Sequence, residues 1–458
     1  MTKKSYEMDM CSGPLLGKIL RFALPLMLSG ILQLLFNAAD IVVVGQFAGH
    51  ESLAAVGSTS SLINLLVNLF IGLSVGTNVL VARYYGAKRE KDISDAVHTS
   101  LLVSVLSGLA LVAIGVALAR PLLELMGTPE NVLSLAVLYM RIFFCGMPVM
   151  MLYNFGSAVL RAVGDTKRPL YFLLISGIIN ILLNLFFVIV CHMAVAGVAL
   201  ATVISQAVSA LLVVRCLAKM EGSLKFSFRR LCIRKPILIQ MIKIGLPAGM
   251  QGCVFSISNA LIQSSINSFG SVAMAGNTAA SNLEGFVYTS MNAVHQTALS
   301  FTSQNLGGRK YTRINKIWWM SLAVVSVIGL VMGNLMYLFG RPLLGIYSPD
   351  AAVADYGLLR MQMICIPYFL CGVMDVMVGS LRGMGYSLLP MFVSLTGACA
   401  FRVLWIYTFF AWDRTLSVLY FSYPVSWLLT LIVHGVCYFL MRRRLPKEDG
   451  LPWSRERG

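Results

Sequence analysis

Charge is what this sequence has least of. Asp, Glu, Lys and Arg make up 12% of its 458 residues, about half the share of a soluble globular domain. Too few charged groups are present to cover a water-exposed surface. Acid is scarcer still: 19 Asp and Glu stand against 36 Lys and Arg, a formal net charge of +17. The chain has no GxxxxGK[ST] phosphate loop and no HExxH. The ordinary marks of a nucleotide-driven pump and a metallopeptidase are therefore missing, and no enzyme is expected. The ten cysteines are scattered without a C-x-x-C pair, which speaks against disulfides and zinc. No cleavable leader is expected, since the first apolar run is too long and lacks a small-residue cleavage site.

What the sequence has is apolar length. Hydrophobic residues are 58% of the chain, gathered in runs that reach the ~20 residues a spanning helix needs. The runs lie near 18–46, 53–82, 94–119, 132–158, 169–191 and 195–218, then near 237–268, 273–304, 316–340, 353–381, 388–411 and 416–441. Backbone polar groups in hydrocarbon must be satisfied within the segment, and these runs do not alternate in polarity as barrel strands do. An all-α polytopic membrane protein of twelve transmembrane helices follows.

The basic surplus then becomes a topology signal. Lys3, Lys4, Lys18 and Arg21 sit around the start of the first run, and Arg83, Lys88, Arg89 and Lys91 follow the second. Arg161, Lys167 and Arg168 follow the fourth, Arg229, Arg230 and Arg234 fill the central loop, and Arg309, Lys310 and Arg313 follow the eighth. Arg442, Arg443, Arg444, Arg455 and Arg457 lie at the end, whereas the opposite loops hold Arg120, Arg341 and Arg414. By the positive-inside rule both termini face the cytoplasm of a multi-pass protein of the cell membrane. Attraction to anionic lipid is a further use of this charge, and nucleic acid is not needed to explain it.

The two halves resemble each other. Arg120-Pro-Leu-Leu123 returns as Arg341-Pro-Leu-Leu344, and Leu24-Pro25 as Leu246-Pro247. Leu160, Arg161, Gly164 and Pro169 return as Leu381, Arg382, Gly385 and Pro390, and Arg141 and Pro148 as Arg360 and Pro367. Each repeat holds six runs, an even number, so the repeats should be parallel and related by a pseudo-twofold axis along the membrane normal. The expected layout is a cytoplasmic tail 1–17, a six-helix lobe 18–218, a cytoplasmic loop 219–236, a second six-helix lobe 237–441 and a basic tail 442–458. Two such lobes rocking about a cavity form the architecture of a secondary transporter, driven by an ion or substrate gradient.

Three acids fall well inside the runs: Asp40, Glu284 and Asp375. A carboxyl group there costs ~2.5–3.5 kcal/mol on insertion scales and usually faces a cavity or the bundle interior. In that setting it can exchange a proton or, with amide and hydroxyl oxygens, hold a sodium ion; no other metal is expected. Asp40 shares a helix face with Gln33 and Asn37, and its plainer reading is an interfacial helix end. Glu284 shares one with Tyr288, Asn292 and His295, where interhelical hydrogen bonding is the alternative. Asp375 stands where the other repeat has Asn154, either in an ion relay or neutralising a nearby base. Asn259, Gln263 and Asn267 form one polar stripe and Asn64 and Asn68 another, as fit for packing as for lining a cavity. Asn180, Asn184 and Thr202 can add neutral ligands around Asp40 if their helices meet it. Pro25 and Pro247 lie inside long runs and invite a hinge or a static bend. Arg141 and Arg360 are expected to anchor outer helix ends.

Taken in order, several segments resemble the signatures of the multidrug and toxic compound extrusion (MATE) family over about 15–441. They are Asn37-Ala-Ala-Asp40-Ile-Val-Val-Val-Gly45, Ala82-Arg83-Tyr84-Tyr85-Gly86, Leu160-Arg161-Ala-Val-Gly164-Asp165, Gly197-Val-Ala-Leu-Ala-Thr202, Ser303-Gln304-Asn305-Leu306-Gly307 and Leu381-Arg382-Gly383-Met384-Gly385. The resemblance implies a cofactor-free exporter working by alternating access, and a monomer is expected. It would move amphipathic drugs and small organic cations outward against inward sodium ions or protons. Asp40 matches the family's N-lobe acid, with Asn180 and Thr202 at supporting positions. Asn184 departs from the pattern, because many relatives carry a second carboxylate there. Glu284 and Asp375 resemble C-lobe acids of related branches. Coupling is thus expected at Asp40, Asn180, Asn184, Thr202, Glu284 and Asp375. A substrate cavity is expected at Gln33, Asn37, Asn68, Asn259, Gln263, Tyr288, Asn292 and His295. The internal acids suggest cationic cargo. One alternative is a flippase for lipid-linked saccharides, disfavoured because internal charge away from helix ends is mostly acidic. The other is a non-transporting scaffold, which would have no use for unpaired carboxylates in the membrane.

Overall fold

The computed structural model describes residues 6–452, so Lys3, Lys4, Arg455 and Arg457 lie outside the described residues. Those described form helices and short connections, with no strand among them. The first half comprises α1 (Leu15–Phe47), α2 (His50–Gly86), α3 (Glu90–Leu125), the bent pair α4 (Glu130–Cys145 and Met147–Ala162), α5 (Lys167–Val190) and α6 (Ala194–Lys219). The second comprises α7 (Lys235–Asn267), α8 (Ser271–Gly307), α9 (Tyr311–Leu338), the bent pair α10 (Ala351–Cys365 and Phe369–Gly383), α11 (Leu388–Trp412) and α12 (Leu416–Arg442). Among the described residues nine helices are long and apolar enough to cross a membrane, and the two bent pairs raise the number to eleven. The remaining helix, α8, has the length at 37 residues but carries Asn277, Glu284, Asn292, His295, Gln304 and Asn305.

The repeat is written into the backbone. Gly49 before α2 and Gly270 before α8 adopt φ of 85° and 93°, and Gly164 and Gly385 adopt 93° and 90°. These left-handed turns are available to glycine without steric cost. Both α4 and α10 bend by 47°, one beside Pro148 and the other at Pro367, the prolines matched across the repeat. A proline cannot donate to the preceding turn, so the helix breaks there. Pro25 and Pro247 instead lie inside unbroken helices. A π-helical turn closes α5 at Phe186–Val190 and interrupts α11 at Leu395–Ala400.

By packing, the chain divides into two units, one holding Ile31–Gly249 and the other Met10–Gly30 with the residues from Met250 onward. These bounds differ from the expected lobes 18–218 and 237–441, which follow the loops. α1 and α7 each begin in one unit and end in the other, because hydrophobic periodicity marks a helix but not its neighbours.

Within the first unit α2 meets the first half of α7 through small residues. A Cβ on Gly72 would strike the backbone of Gly249, and one on Gly76 the carbonyl oxygen of Met241. Small residues four apart let two helices approach backbone to backbone. The run Gly72-Leu-Ser-Val-Gly76 also has the G-x-S-x-G spacing of a hydrolase nucleophile. It lies mid-helix, however, with Ser74 Oγ donating to the Ile71 carbonyl at 2.7 Å, so the glycines serve packing.

Gly72→Ala should therefore destabilise the protein by about 1–3 kcal/mol through overpacking. Gly57→Ala in the same helix, where nothing lies within 4 Å, should be neutral or stabilise by up to ~1 kcal/mol. Equal melting temperatures for the two variants would contradict the close crossing. A second test concerns Asp165, in the loop after α4, which pairs with Arg168 at 3.1 Å. Burial pushes its carboxyl up to about 6 despite that partner. The folded state thus holds a proton that the unfolded chain, with an ordinary value of ~3.9, has released. Stability from this group is complete below pH ~4 and lost as pH rises through about 6. Asp165→Asn should flatten that fall in melting temperature; an unchanged slope would assign it elsewhere.

Candidate functional site

In the first unit the expected acid is met by amides. The second half of α1 carries Gln33 and Asn37, both exposed, and Asp40, half-buried. α5 contributes Asn184, fully buried, and Asn180 one turn earlier. Asn184 Nδ2 donates to Asp40 Oδ1 and, at 3.3 Å, to Asn180 Oδ1. That orientation leaves Asn184 Oδ1 buried without a hydrogen-bond partner. Tyr139, buried on the first half of α4, lies within electrostatic reach of Asp40. Thr202 does not join them: its Oγ1 donates to the Val198 carbonyl of its own helix at 3.0 Å. Asn68 is half-buried on α2 and makes no hydrogen bond to the Asp40 cluster. The Asn184 amide nitrogen thus bridges two oxygens, Asp40 Oδ1 and Asn180 Oδ1, and oxygens of this kind are hard donors suited to a proton or a small hard cation.

The second unit holds a denser network. Arg360, on the first half of α10, grips Glu284 of α8 with two prongs, Nε to Oε1 at 2.9 Å and Nη2 to Oε2 at 2.7 Å. Its Nη1 donates to Asn277 Oδ1 at 2.7 Å, which also accepts from Tyr420 OH at 3.1 Å. Asn277 Nδ2 donates in turn to Gln263 Oε1 at 2.8 Å, and Gln263 Nε2 to Asn267 Oδ1 at 2.9 Å. These bonds tie α7, α8, α10 and α12 together. One turn along α8, Tyr288 hydrogen-bonds the Asp375 carboxyl, with Arg382 nearby. His295 Nδ1 meets the backbone carbonyl of Asp375 at 2.6 Å, not its carboxyl. Arg382 Nη2 donates to Gln251 Oε1 at 2.7 Å. A cavity of about 290 Å³ is lined by Asn259, Gln263, Glu284, Tyr288, Arg360, Tyr368, Tyr423 and Trp427, among others. Asn292 and His295, expected in a cavity wall, are not part of this one.

Two expectations need correction. Arg360 does not anchor an outer helix end: it is buried and neutralises Glu284, whose two oxygens are both engaged. Its repeat counterpart Arg141 is exposed. Spacing along one helix identifies a polar face but cannot say which base on another helix reaches it. Nor is the interior mainly acidic, since Arg360, Arg382 and Arg402 are buried in the same unit as Glu284 and Asp375. Arg402, Asn277 and Tyr139 escaped the sequence reading. A lone base in the apolar run 388–411 was the available signal for Arg402.

The MatE family profile matches residues 25–186 and 247–408, once in each half. A relative from Bacillus subtilis (strain 168), named probable multidrug resistance protein YoeA, is 29% identical over 434 residues, 92% of this chain and 93% of its own. A protein of Shewanella oneidensis named FAD transporter is 25% identical over 78% of this chain and 79% of its own. A crystal structure described as MATE in complex with MaL6 aligns with a TM-score of 0.90 at 21% identity, covering 98% of this chain and 100% of that one.

Removing one side of a buried ion pair strands the other. Arg360→Gln should destabilise the protein by about 3–5 kcal/mol, and adding Glu284→Gln should recover part of the loss. A double variant no more stable than Arg360→Gln, measured by thermal unfolding, would show that Glu284 is answered by another group.

Proposed function

This chain belongs to the MatE family, and on that premise we propose that it is a secondary active multidrug exporter of the cytoplasmic membrane. It carries amphipathic organic cations outward in exchange for inward sodium ions or protons, by alternating access. The observation that carries the coupling is the half-buried Asp40 held by Asn184, with Asn180 Oδ1 adjoining and Asn184 Oδ1 left over. An isolated carboxylate at membrane depth is expensive, and binding a proton or sodium ion removes that cost. Loading by the inward ion therefore favours a closed, neutral site, and its departure restores a negative charge that an organic cation can answer. No cofactor is required; the ion gradient supplies the energy. The names of relatives such as YoeA support drug-like cargo, and the basic loops support cytoplasmic termini.

The competing C-lobe site is less suited to coupling through Glu284, because Arg360 already neutralises that acid. Asp375, paired with Tyr288 and beside Arg382, remains the other acid that an ion can load. We assign coupling to Asp40 first, with Asn180 and Asn184 as ligands.

The test is uptake of a fluorescent organic cation into inverted membrane vesicles, with sodium and proton gradients imposed separately. One gradient should drive accumulation, and Asp40→Asn should reduce it to background while leaving insertion and folding intact. Wild-type accumulation by Asp40→Asn would move coupling to Asp375; no accumulation under either gradient, across a panel of cations, would remove the exporter reading.

A further inference from the structure

The second-unit cavity has walls that disagree with an organic cation. Tyr423 and Trp427 line it, yet the face of the Tyr423 ring already carries two guanidinium groups. Arg402 lies 4.2 Å from that ring's centroid and Arg360 5.7 Å, and Arg402 is also 5.9 Å from the Trp427 ring. On Tyr423 and Trp427, the attraction an electron-rich ring would offer a ligand cation is therefore already drawn on by the protein's own cations.

Arg402 is 3% exposed. Among the described residues its hydrogen bond runs from Nε to Ser426 Oγ at 2.9 Å, and no carboxylate of these residues comes within ion-pair distance of it. Glu284 is consumed by Arg360, and Asp375 faces Arg382 and Tyr288. A buried guanidinium without an anion is costly, and this one stands against two rings of the cavity wall.

We infer that this cavity is a cargo subsite for planar aromatic molecules bearing an anionic group, a carboxylate or a phosphate, with Arg402 setting the preference for negative charge. The inference rests on reading the cavity as a place where cargo binds, and it assigns that place a second class of cargo beside the organic cations proposed above. The amide row of Asn259 and Gln263 and the Tyr288 and Tyr368 rings supply hydrogen bonds and stacking that do not depend on charge. Selectivity falls to the arginines. Arg402 acts through the field it places on the cavity and on the Tyr423 ring, so it is a specificity-determining residue.

The test is equilibrium binding by titration calorimetry, with the full-length protein in phosphatidylcholine nanodiscs at neutral pH and no gradient, so that it is independent of the transport assay. The probes share one ring system: 2-naphthoate, 2-naphthyl phosphate, 2-naphthylmethylammonium and neutral 2-naphthylmethanol, each corrected against empty nanodiscs. At least one anion should bind roughly tenfold tighter than the ammonium probe, and which one does so separates carboxylate from phosphate. Arg402→Gln should bring the anion-to-cation ratio to about one without changing the affinity of the neutral probe, while Arg402→Lys retains the preference. If Arg402→Gln does not yield folded protein, Tyr423→Leu, which removes the ring held between the arginines, should shrink the same ratio. Tighter binding of the ammonium probe by the wild type, or an unchanged ratio in the folded variants, overturns the inference. Cation export in vesicles together with a cation preference here would overturn the subsite and leave the exporter standing.

Discussion

Inside a bundle surrounded by hydrocarbon an ionised group is costly to bury, so it is best met by another part of the protein or by something the protein carries. That constraint organises this chain. It pushes most of the 36 basic residues toward loops and helix ends, and it makes the few exceptions informative. Where the constraint is met internally, as in the two-pronged contact of Arg360 with Glu284, the group ties helices together. Where it is met by hydrogen bonds alone, as at Asp40 with Asn184 and at Arg402 with Ser426, the charge keeps no ion-pair partner among the described residues.

The two halves share a scaffold and divide their chemistry. The scaffold is visible in matched left-handed glycines, matched 47° bends and π-helical turns in both α5 and α11. All of these depend on backbone geometry and are preserved by small residues and proline. The side chains then diverge. The first unit offers one acid surrounded by amides, whereas the second holds two acids and three buried arginines. Arg141 and Arg360 make the divergence concrete: matched positions, one exposed and one buried against a carboxylate. A duplicated fold can thus hold an acid among amides in one half and a cavity lined by an acid and an arginine in the other.

α8 shows how function reshapes the signal that identifies a spanning helix. With 37 residues it has ample length, yet its polar content keeps it below the apolarity of the other helices. The same polar residues, Asn277 and Glu284 foremost, form the core of the second-unit network. Lipid-facing helices can be apolar all round; a helix that supplies ligands and ion-pair partners to its neighbours cannot.

Helicity, span positions, the repeat and the three interior acids were all decided by the chain itself, because they follow from run length, charge placement and local backbone preference. Those are properties of residues near one another in sequence. The partnership of Asp40 with Asn184 was legible only as a condition, that α1 and α5 meet. Thr202 was expected there too and turned to its own backbone instead. The capture of Glu284 by Arg360, the buried Arg402 and the division of α1 and α7 between units were decided by tertiary structure alone. A side chain's partners across a bundle depend on helix rotation and crossing, and apolar periodicity constrains these only to within the width of a helix face.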